Sequence, residues 1–211
     1  MEFKIISLNV GKVGELISKK GKVASAYRKQ PVAKAELSDT GFAIDEQADL
    51  KNHGGVDKAV CVYSSHHFGD YSEFLNITEM PIPAFGENFT VDSLDEAEIF
   101  IGDIFECGKI KLQISQPRQP CSKTGLFYSN NKVIKFMSVH GSTGFYFRVL
   151  RGGQVNAGDI FKRTFTDSRH SLKYANDLMY RRVNSLDKLR EFIDNEFLSK
   201  AWKDELSGRL K

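Results

Sequence analysis

The chain has 211 residues, of which 41% are hydrophobic, so it is long and apolar enough for one domain with a buried core and an appendage. Its 17 glycines and 5 prolines are too few for a disordered or collagen-like protein. The formal net charge of +3 is too small to indicate a nucleic-acid-binding protein by itself.

The N-terminal sequence MEFKIISLNVGK has no basic stretch followed by a long apolar run, which predicts no signal peptide. No apolar run approaches the roughly 20 residues that a membrane span needs. We therefore expect a cytoplasmic protein that does not contact membranes. Cys61, Cys107 and Cys121 are too few for a disulfide framework, and no CxxC spacing predicts a structural zinc site.

The first 165 residues have the pattern of a mainly β domain. Residues 3–10 predict a strand, and the apolar run 59–63 predicts a buried strand in which Cys61 packs as a small hydrophobe. Ser64 is a suitable N-cap for a helix that continues to Leu75.

Residues 98–116 carry the clearest β signal. Apolar and polar residues alternate over 110–116, and Gly108-Lys109 predicts a turn after the strand around Ile104. The helical pattern over 132–140 ends at Gly141, a typical C-terminal stop.

A second β unit is predicted over 144–165, with a strand over 145–150, a turn at 151–153 and a returning strand over 155–165. The sequence GDIF occurs in both units, at 102–105 and at 158–161. Four residues are weak evidence for a repeat, so we interpret them as the same turn chemistry at two corners of a barrel.

The last 45 residues predict three short amphipathic helices, which begin at Ser171, Ser185 and Ser199. We therefore predict a β-barrel domain over 1–165 and a three-helix appendage over 166–211. Many short strands favour a barrel over a parallel α/β sheet. The appendage has ten basic and eight acidic residues, so no basic face for nucleic acid is predicted.

Cys121 is the main candidate for a functional residue. Pro120 restricts the backbone before it, and Arg118 and Lys123 supply nearby cations that favour a thiolate. It follows a strand, where functional loops often begin. The alternative is a loop cysteine of no consequence. A rigid thiolate suits ligation of a soft metal or nucleophilic catalysis.

Two glycine-containing segments are weaker candidates. The sequence KNHGGVDK (51–58) offers the Gly54-Gly55 backbone, His53 and Lys58 as donors to an anion, but it could equally be a turn. In AFGENF (84–89), Asn88 could offer its amide to a heterocycle, although a turn is the favoured interpretation.

Arg148 lies in an aromatic strand and requires an anionic partner, which could be a ligand or an ion pair at the rim. His66 and His67 are adjacent on a predicted helix and point about 100° apart, so a shared metal ion is not expected.

Together these motifs resemble the MOSC family, named for the C-terminal domain of molybdenum-cofactor sulfurases, and in particular its stand-alone YiiM-type members. The motifs are NHGGVDKAVCVY (52–63), PAFGENF (83–89), IGDIF (101–105), QPRQPC (116–121), GFYFRVLRGGQVNAGD (144–159) and LSKAWKDELSGRL (198–210). The last of these resembles part of a three-helix appendage. The resemblance covers nearly the whole chain.

The resemblance implies a barrel of the pyruvate-kinase type that binds the molybdenum cofactor, a molybdopterin, in its mouth, with Cys121 as the metal ligand. It also implies an enzyme that reduces small N-hydroxylated molecules such as hydroxylamino-purines and amidoximes. Donors to the phosphate and pterin of the cofactor would come from the candidates His53, Gly54, Gly55, Lys58, Asn88, Arg118 and Arg148.

The cysteines form no iron–sulfur motif, so the enzyme would receive electrons from a separate redox protein. One alternative is a sulfur carrier with a persulfide on Cys121; another is a binding module whose helices dock a partner. We expect the helices to cover one side of the barrel, or to contact the redox partner or the second subunit of a homodimer.

Overall fold

A computed structural model describes residues 1–19, 21–180 and 182–210. The strands are β1 (Glu2–Val10), β2 (Gly14–Ser18), β3 (Gly21–Ser25), β4 (Gln30–Val32), β5 (Lys34–Ser38), β6 (Gly41–Phe42), β7 (Val60–Ser64), β8 (Phe89–Val91), β9 (Ile104–Cys107), β10 (Ile110–Pro117), β11 (Phe145–Arg151), β12 (Gly153–Asn156) and β13 (Ile160–Phe165). The helices are α1 (Leu50–His53), α2 (Phe68–Leu75), α3 (Ser122–Phe127), α4 (Lys132–His140), α5 (Leu172–Met179), α6 (Leu186–Ile193) and α7 (Lys200–Ser207).

Within the described chain, seven strands close into a barrel in the order β13-β9-β10-β11-β7-β8-β1, and the pairing of β1 with β13 completes the ring. The pairing of β7 with β8 is parallel, and the other pairings in the ring are antiparallel. The predicted β-barrel is therefore confirmed.

The interior of the barrel is filled by side chains. Phe3 stacks on Phe161 with 5.3 Å between ring centroids, and it also contacts Phe105 and Phe147. All four rings are almost completely buried. Because successive side chains of a strand point to opposite faces, the residues between the core positions face outward from the barrel.

The region 155–165 differs from the prediction of one returning strand. Strand β12 pairs with β5 in a separate small sheet, while β13 pairs with β1 and β9 in the barrel. The chain turns between them because Gly158 has a φ of +92° and Asp159 Oδ2 accepts the N–H of Asn156 at 2.8 Å.

The same turn chemistry occurs at the other GDIF sequence, as predicted. Gly102 has a φ of +94°, and Asp103 Oδ2 accepts the N–H of Phe100 at 3.1 Å. In both turns the aspartate side chain accepts the backbone N–H of the residue three positions before it. The glycine directly before the aspartate adopts the left-handed region, which glycine tolerates.

The three C-terminal helices begin at the predicted serines. The side chains of Ser171, Ser185 and Ser199 each accept the backbone N–H three residues later. Buried residues of these helices, including Trp202, belong to the same apolar cluster as the barrel interior. The N–H of Ser199 also donates to the carbonyl of Ser115 in β10 at 3.0 Å. The helices thus cover one side of the barrel, and the domain boundary near residue 165 stays a prediction.

Candidate functional site

Two adjoining cavities form one cleft on the outer face of the barrel. The inner cavity has a volume of about 80 Å³ and the outer groove about 430 Å³. The residues that line both, and so mark the junction between them, are His53, Lys58, Cys121, Lys123 and Tyr146. The cleft is large enough for a small organic ligand.

The cleft lies against the outward-facing side of β7 and β11, and the position of the cofactor in the mouth of the barrel stays a prediction. Its wall is formed by Cys61 of β7 and Tyr146 of β11, which are directly paired across the two strands. Their neighbours in sequence point into the barrel and fill it. The alternation in VCV (60–62) and FYF (145–147) is the sequence signal that could have identified both outward-facing residues.

Cys121 occupies the N-cap position of helix α3, directly after Pro120. Its carbonyl accepts the N–H of Thr124 at 3.1 Å, which closes the first turn of the helix. The residue is half-buried and lines both parts of the cleft. The structure therefore places this cysteine at the start of a short helix, where it faces the cleft, and the sequence pattern had not predicted that helix.

Arg118 lies almost fully buried in the wall of the inner cavity, with 4% of its surface exposed. Its Nη1 is buried and has no hydrogen-bond partner among the described residues. Burial raises the pKa of the neighbouring Cys61 thiol to about 11 and raises the pKa values of Tyr27 and Tyr146 well above the ordinary phenol value. These three neighbours are neutral at physiological pH, so none of them compensates the Arg118 charge.

A buried ion pair closes another part of the inner cavity. Lys29 Nζ lies 2.5 Å from Asp45 Oδ1, and both side chains are 6% exposed. Asp45 also accepts the N–H of Gly11 at 2.7 Å and an amide N–H of Asn88 at 2.9 Å. The charge of Lys29 is therefore matched within the protein, in contrast to that of Arg118.

Asn88 lines the inner cavity but is used by the protein itself. Its Oδ1 accepts the N–H of Cys61 at 3.1 Å, and its two amide hydrogens are donated to Asn9 O and Asp45 Oδ2. A ligand could contact only the second lone pair of Oδ1. The partners of this amide are distant in sequence, so Asn88 joins three segments of the chain, and it is the Glu87 carboxylate that accepts the local N–H groups of Ala84 and Phe85.

His53 ends helix α1 and lines both parts of the cleft. Burial, together with the nearby Arg118 and Lys123, lowers the pKa of His53 to about 4, so the imidazole is neutral at physiological pH. Lys58 Nζ donates to the carbonyl of Asn52 at 2.7 Å, and burial lowers its pKa.

Gly54 and Gly55 are not among the residues that line the cleft. A Cβ on Gly54 would lie 2.6 Å from the carbonyl oxygen of Leu50, and Gly55 has a φ of +95° before the short 3₁₀ turn Val56–Lys58. These glycines therefore serve the turn that brings His53 and Lys58 to the cleft. Direct contact of their backbone with a cofactor stays a prediction.

Arg148 also lies outside the two cavities and holds an ion pair. Its Nη2 lies 2.5 Å from Asp57 Oδ1, and its Nη1 donates to Gln113 Oε1 at 2.7 Å. Asp57 Oδ2 accepts the N–H of Lys200 at the start of α7. Arg148 thus joins the barrel to the C-terminal helices, and the structure does not bring it to the other candidates.

His66 and His67 pair with different carboxylates. His67 Nε2 lies 2.5 Å from Glu96 Oε2, whereas His66 Nε2 lies 3.7 Å from Asp95 Oδ2. Among the described residues, no group of three or more histidine, cysteine or acidic side chains could hold a metal ion. No helix in the described ranges is both long and apolar enough to cross a membrane.

Gly144 positions the backbone beside Arg118. Its carbonyl accepts the Arg118 N–H at 2.9 Å, and its own N–H donates to Glu96 Oε1. Its φ is +72°, and an added Cβ would lie 2.5 Å from Val62 O and 2.7 Å from Tyr63 Cδ2. We expect Gly144→Ala to lower the free energy of unfolding, measured with urea, by about 3 kcal/mol or more.

The matched control is Gly158→Ala. Gly158 also has a positive φ, +92°, but nothing lies within 4 Å of an added Cβ. This variant should lose only the backbone strain, about 1–2 kcal/mol. Equal losses in the two variants would contradict the argument that close packing at Gly144 is required.

Residues 49–162, just over half of the chain, match the model of the MOSC domain. The uncharacterized protein YflK of Bacillus subtilis is 36% identical over 203 residues, which are 95% of this chain and 91% of YflK. The crystal structure of YiiM from Geobacillus stearothermophilus has a TM-score of 0.83 and 30% identity, and the match covers 99% of this chain and 100% of that one.

A longer fungal protein is also similar. The protein of Gibberella moniliformis named "Reductase" is 31% identical over 148 residues, which are 66% of this chain and 25% of that protein.

Proposed function

Because this chain belongs to the MOSC domain family, we propose that it binds the molybdenum cofactor in the cleft and reduces N-hydroxylated compounds such as hydroxylamino-purines and amidoximes. Cys121 would be the metal ligand. The observation that carries the proposal is the buried Arg118 guanidinium beside Cys121, whose Nη1 has no partner among the described residues.

The residues of the cleft fit such a cofactor. A cysteine thiolate is the type of soft ligand that molybdenum accepts, and Cys121 faces the cleft from the start of helix α3. Arg118 would form the charge-assisted hydrogen bond that an anionic group such as the cofactor phosphate requires. Lys123 and the Lys58 ammonium, which line the same cleft, add positive charge near the junction.

When bound, the cofactor supplies the two electrons that reduce the N–O bond, and the protein supplies the surroundings. The outer groove would hold the substrate beside Cys121, and the neutral His53 would offer a hydrogen bond without repelling Arg118. The name of the fungal relative, a reductase, supports this reaction class. A separate cytoplasmic redox protein would deliver the electrons.

The second candidate is a sulfur carrier with a persulfide on Cys121. A carrier must present its sulfur to another protein, which an exposed mobile loop does best. Cys121 instead starts helix α3 and faces a cleft. This placement favours the reductase.

The experiment is to purify the protein from a host that makes the cofactor and to measure its molybdenum by mass spectrometry. The same sample is then given benzamidoxime, with a chemically reduced viologen as electron source. Near-stoichiometric molybdenum and formation of benzamidine are the expected results. Protein without molybdenum, despite a confirmed cofactor supply, would overturn the proposal and favour the sulfur carrier.

A further inference from the structure

Tyr146 stands at the junction between the inner cavity and the outer groove, since it lines both. It lies in β11 between Phe145 and Phe147, whose rings fill the barrel, so its own ring faces the cleft. Of the five junction residues it is the buried one, with 6% of its surface exposed, and the other four are half-buried.

The hydroxyl of Tyr146 has few acceptors for a hydrogen bond within the protein. Among the described residues the hydroxyl makes no hydrogen bond of ordinary geometry, and the Cys61 thiol paired across the strands is only a weak acceptor. Burial raises the pKa of the phenol, so it stays protonated and remains a donor. A donor in a buried site makes a stronger hydrogen bond than one in water.

We propose that Tyr146 is a catalytic hydrogen-bond donor that binds the hydroxyl oxygen of the N-hydroxylated substrate and protonates it as the N–O bond breaks. This inference rests on the proposed function. In the overall reaction R–NH–OH takes up two electrons and two protons, and R–NH₂ and water leave. The cofactor supplies the electrons, Tyr146 passes one proton to the departing oxygen, and water in the groove returns that proton and supplies the other.

The hydrogen bond from Tyr146 to the hydroxyl oxygen is possible with the substrate and not with the product, because the product has lost that oxygen. Benzamidoxime and benzamidine differ by that atom and form a matched pair of ligands. Removing the phenol hydroxyl should therefore weaken only the first, by about threefold to tenfold, which is the usual effect of one hydrogen bond. A structural role for Tyr146 would weaken both ligands alike.

The test uses molybdenum-loaded Tyr146→Phe and wild type. Calorimetry on the oxidised enzyme, which cannot turn over, should show weaker binding of benzamidoxime and unchanged binding of benzamidine. With an electron donor present, kcat should fall by about 100-fold or more, with the molybdenum content unchanged. The control is Tyr63→Phe, whose hydroxyl is buried in the adjacent strand and donates to Ser142 O at 2.6 Å, away from the cleft.

Equal loss of both ligands, or a kcat within twofold of wild type, would overturn the role of Tyr146 while the proposed function stands. A wild-type protein that carries molybdenum but reduces no N-hydroxylated compound would overturn the proposed function, and this inference with it. Loss of activity in Tyr63→Phe equal to that in Tyr146→Phe would show that the effect is on folding.

Discussion

Replacing Cys121 by serine is expected to remove molybdenum from the protein while leaving the fold intact. The serine hydroxyl has nearly the same size and can cap helix α3, so no stability should be lost there. It is a much poorer ligand for a soft metal than a thiolate. The loss of metal should exceed the roughly 10–100-fold that changes around a metal ligand usually cause.

The measurement is the molybdenum content of protein purified from a cofactor-producing host, together with the midpoint of thermal unfolding. Cys107→Ser is the matched control, because Cys107 is a half-buried cysteine that packs against the core and lies outside the cleft. Cys107→Ser should keep its metal. If Cys121→Ser retained a full complement of molybdenum, Cys121 could not be the ligand.

Much of the fold could be predicted because local sequence determines it. The helix predicted over 132–140 has those bounds in the structure, since Gly141, at a φ of +77°, ends it. The serine caps of the C-terminal helices and the two aspartate turns were likewise visible in short motifs. In each case a single side chain satisfies backbone groups within a few residues of itself, so no knowledge of distant contacts is needed.

The site was predicted only in part because its walls come from distant segments. Cys121, Arg118, His53 and Lys58 were identified from their own motifs and do meet in one cleft. Segments 25–29 and 45–48 also line the inner cavity, but their sequence carries no motif. Their place depends on long-range contacts of the kind that joins Lys29 to Asp45, and spacing along the chain cannot reveal these.

Arg148 lies outside the cleft, and its role in cofactor binding stays a prediction. Its sequence context predicted an anionic partner correctly, but could not distinguish a ligand from a carboxylate of the protein. The partner is Asp57, which lies 91 residues away in sequence. Arg118, which directly follows the neighbouring strand β10, has no carboxylate partner among the described residues. The difference between the two arginines is therefore a property of the tertiary structure.

Replacing Arg118 by methionine should have opposite effects on stability and on cofactor binding. In the protein without cofactor, Arg118 is a buried charge that has no ion pair among the described residues, and burying a charge without a partner is unfavourable. Methionine fills a similar volume without charge. We expect the free energy of unfolding to rise by about 1–2 kcal/mol, and the melting temperature by roughly 2–6 °C.

The same variant should lose cofactor, because the cleft loses its buried donor to an anion. Arg148→Met is the matched control, since Arg148 has its partner inside the protein. That variant leaves Asp57 partly buried without its cation, so it should lose about 1–2 kcal/mol of stability and keep its molybdenum.

Thermal unfolding of cofactor-free protein and metal analysis of loaded protein measure the two effects separately. An Arg118→Met protein that is less stable than wild type, or that retains full molybdenum, would contradict the view that this guanidinium is held unpaired for a ligand. The two arginines together thus distinguish a charge kept for binding from a charge kept for folding.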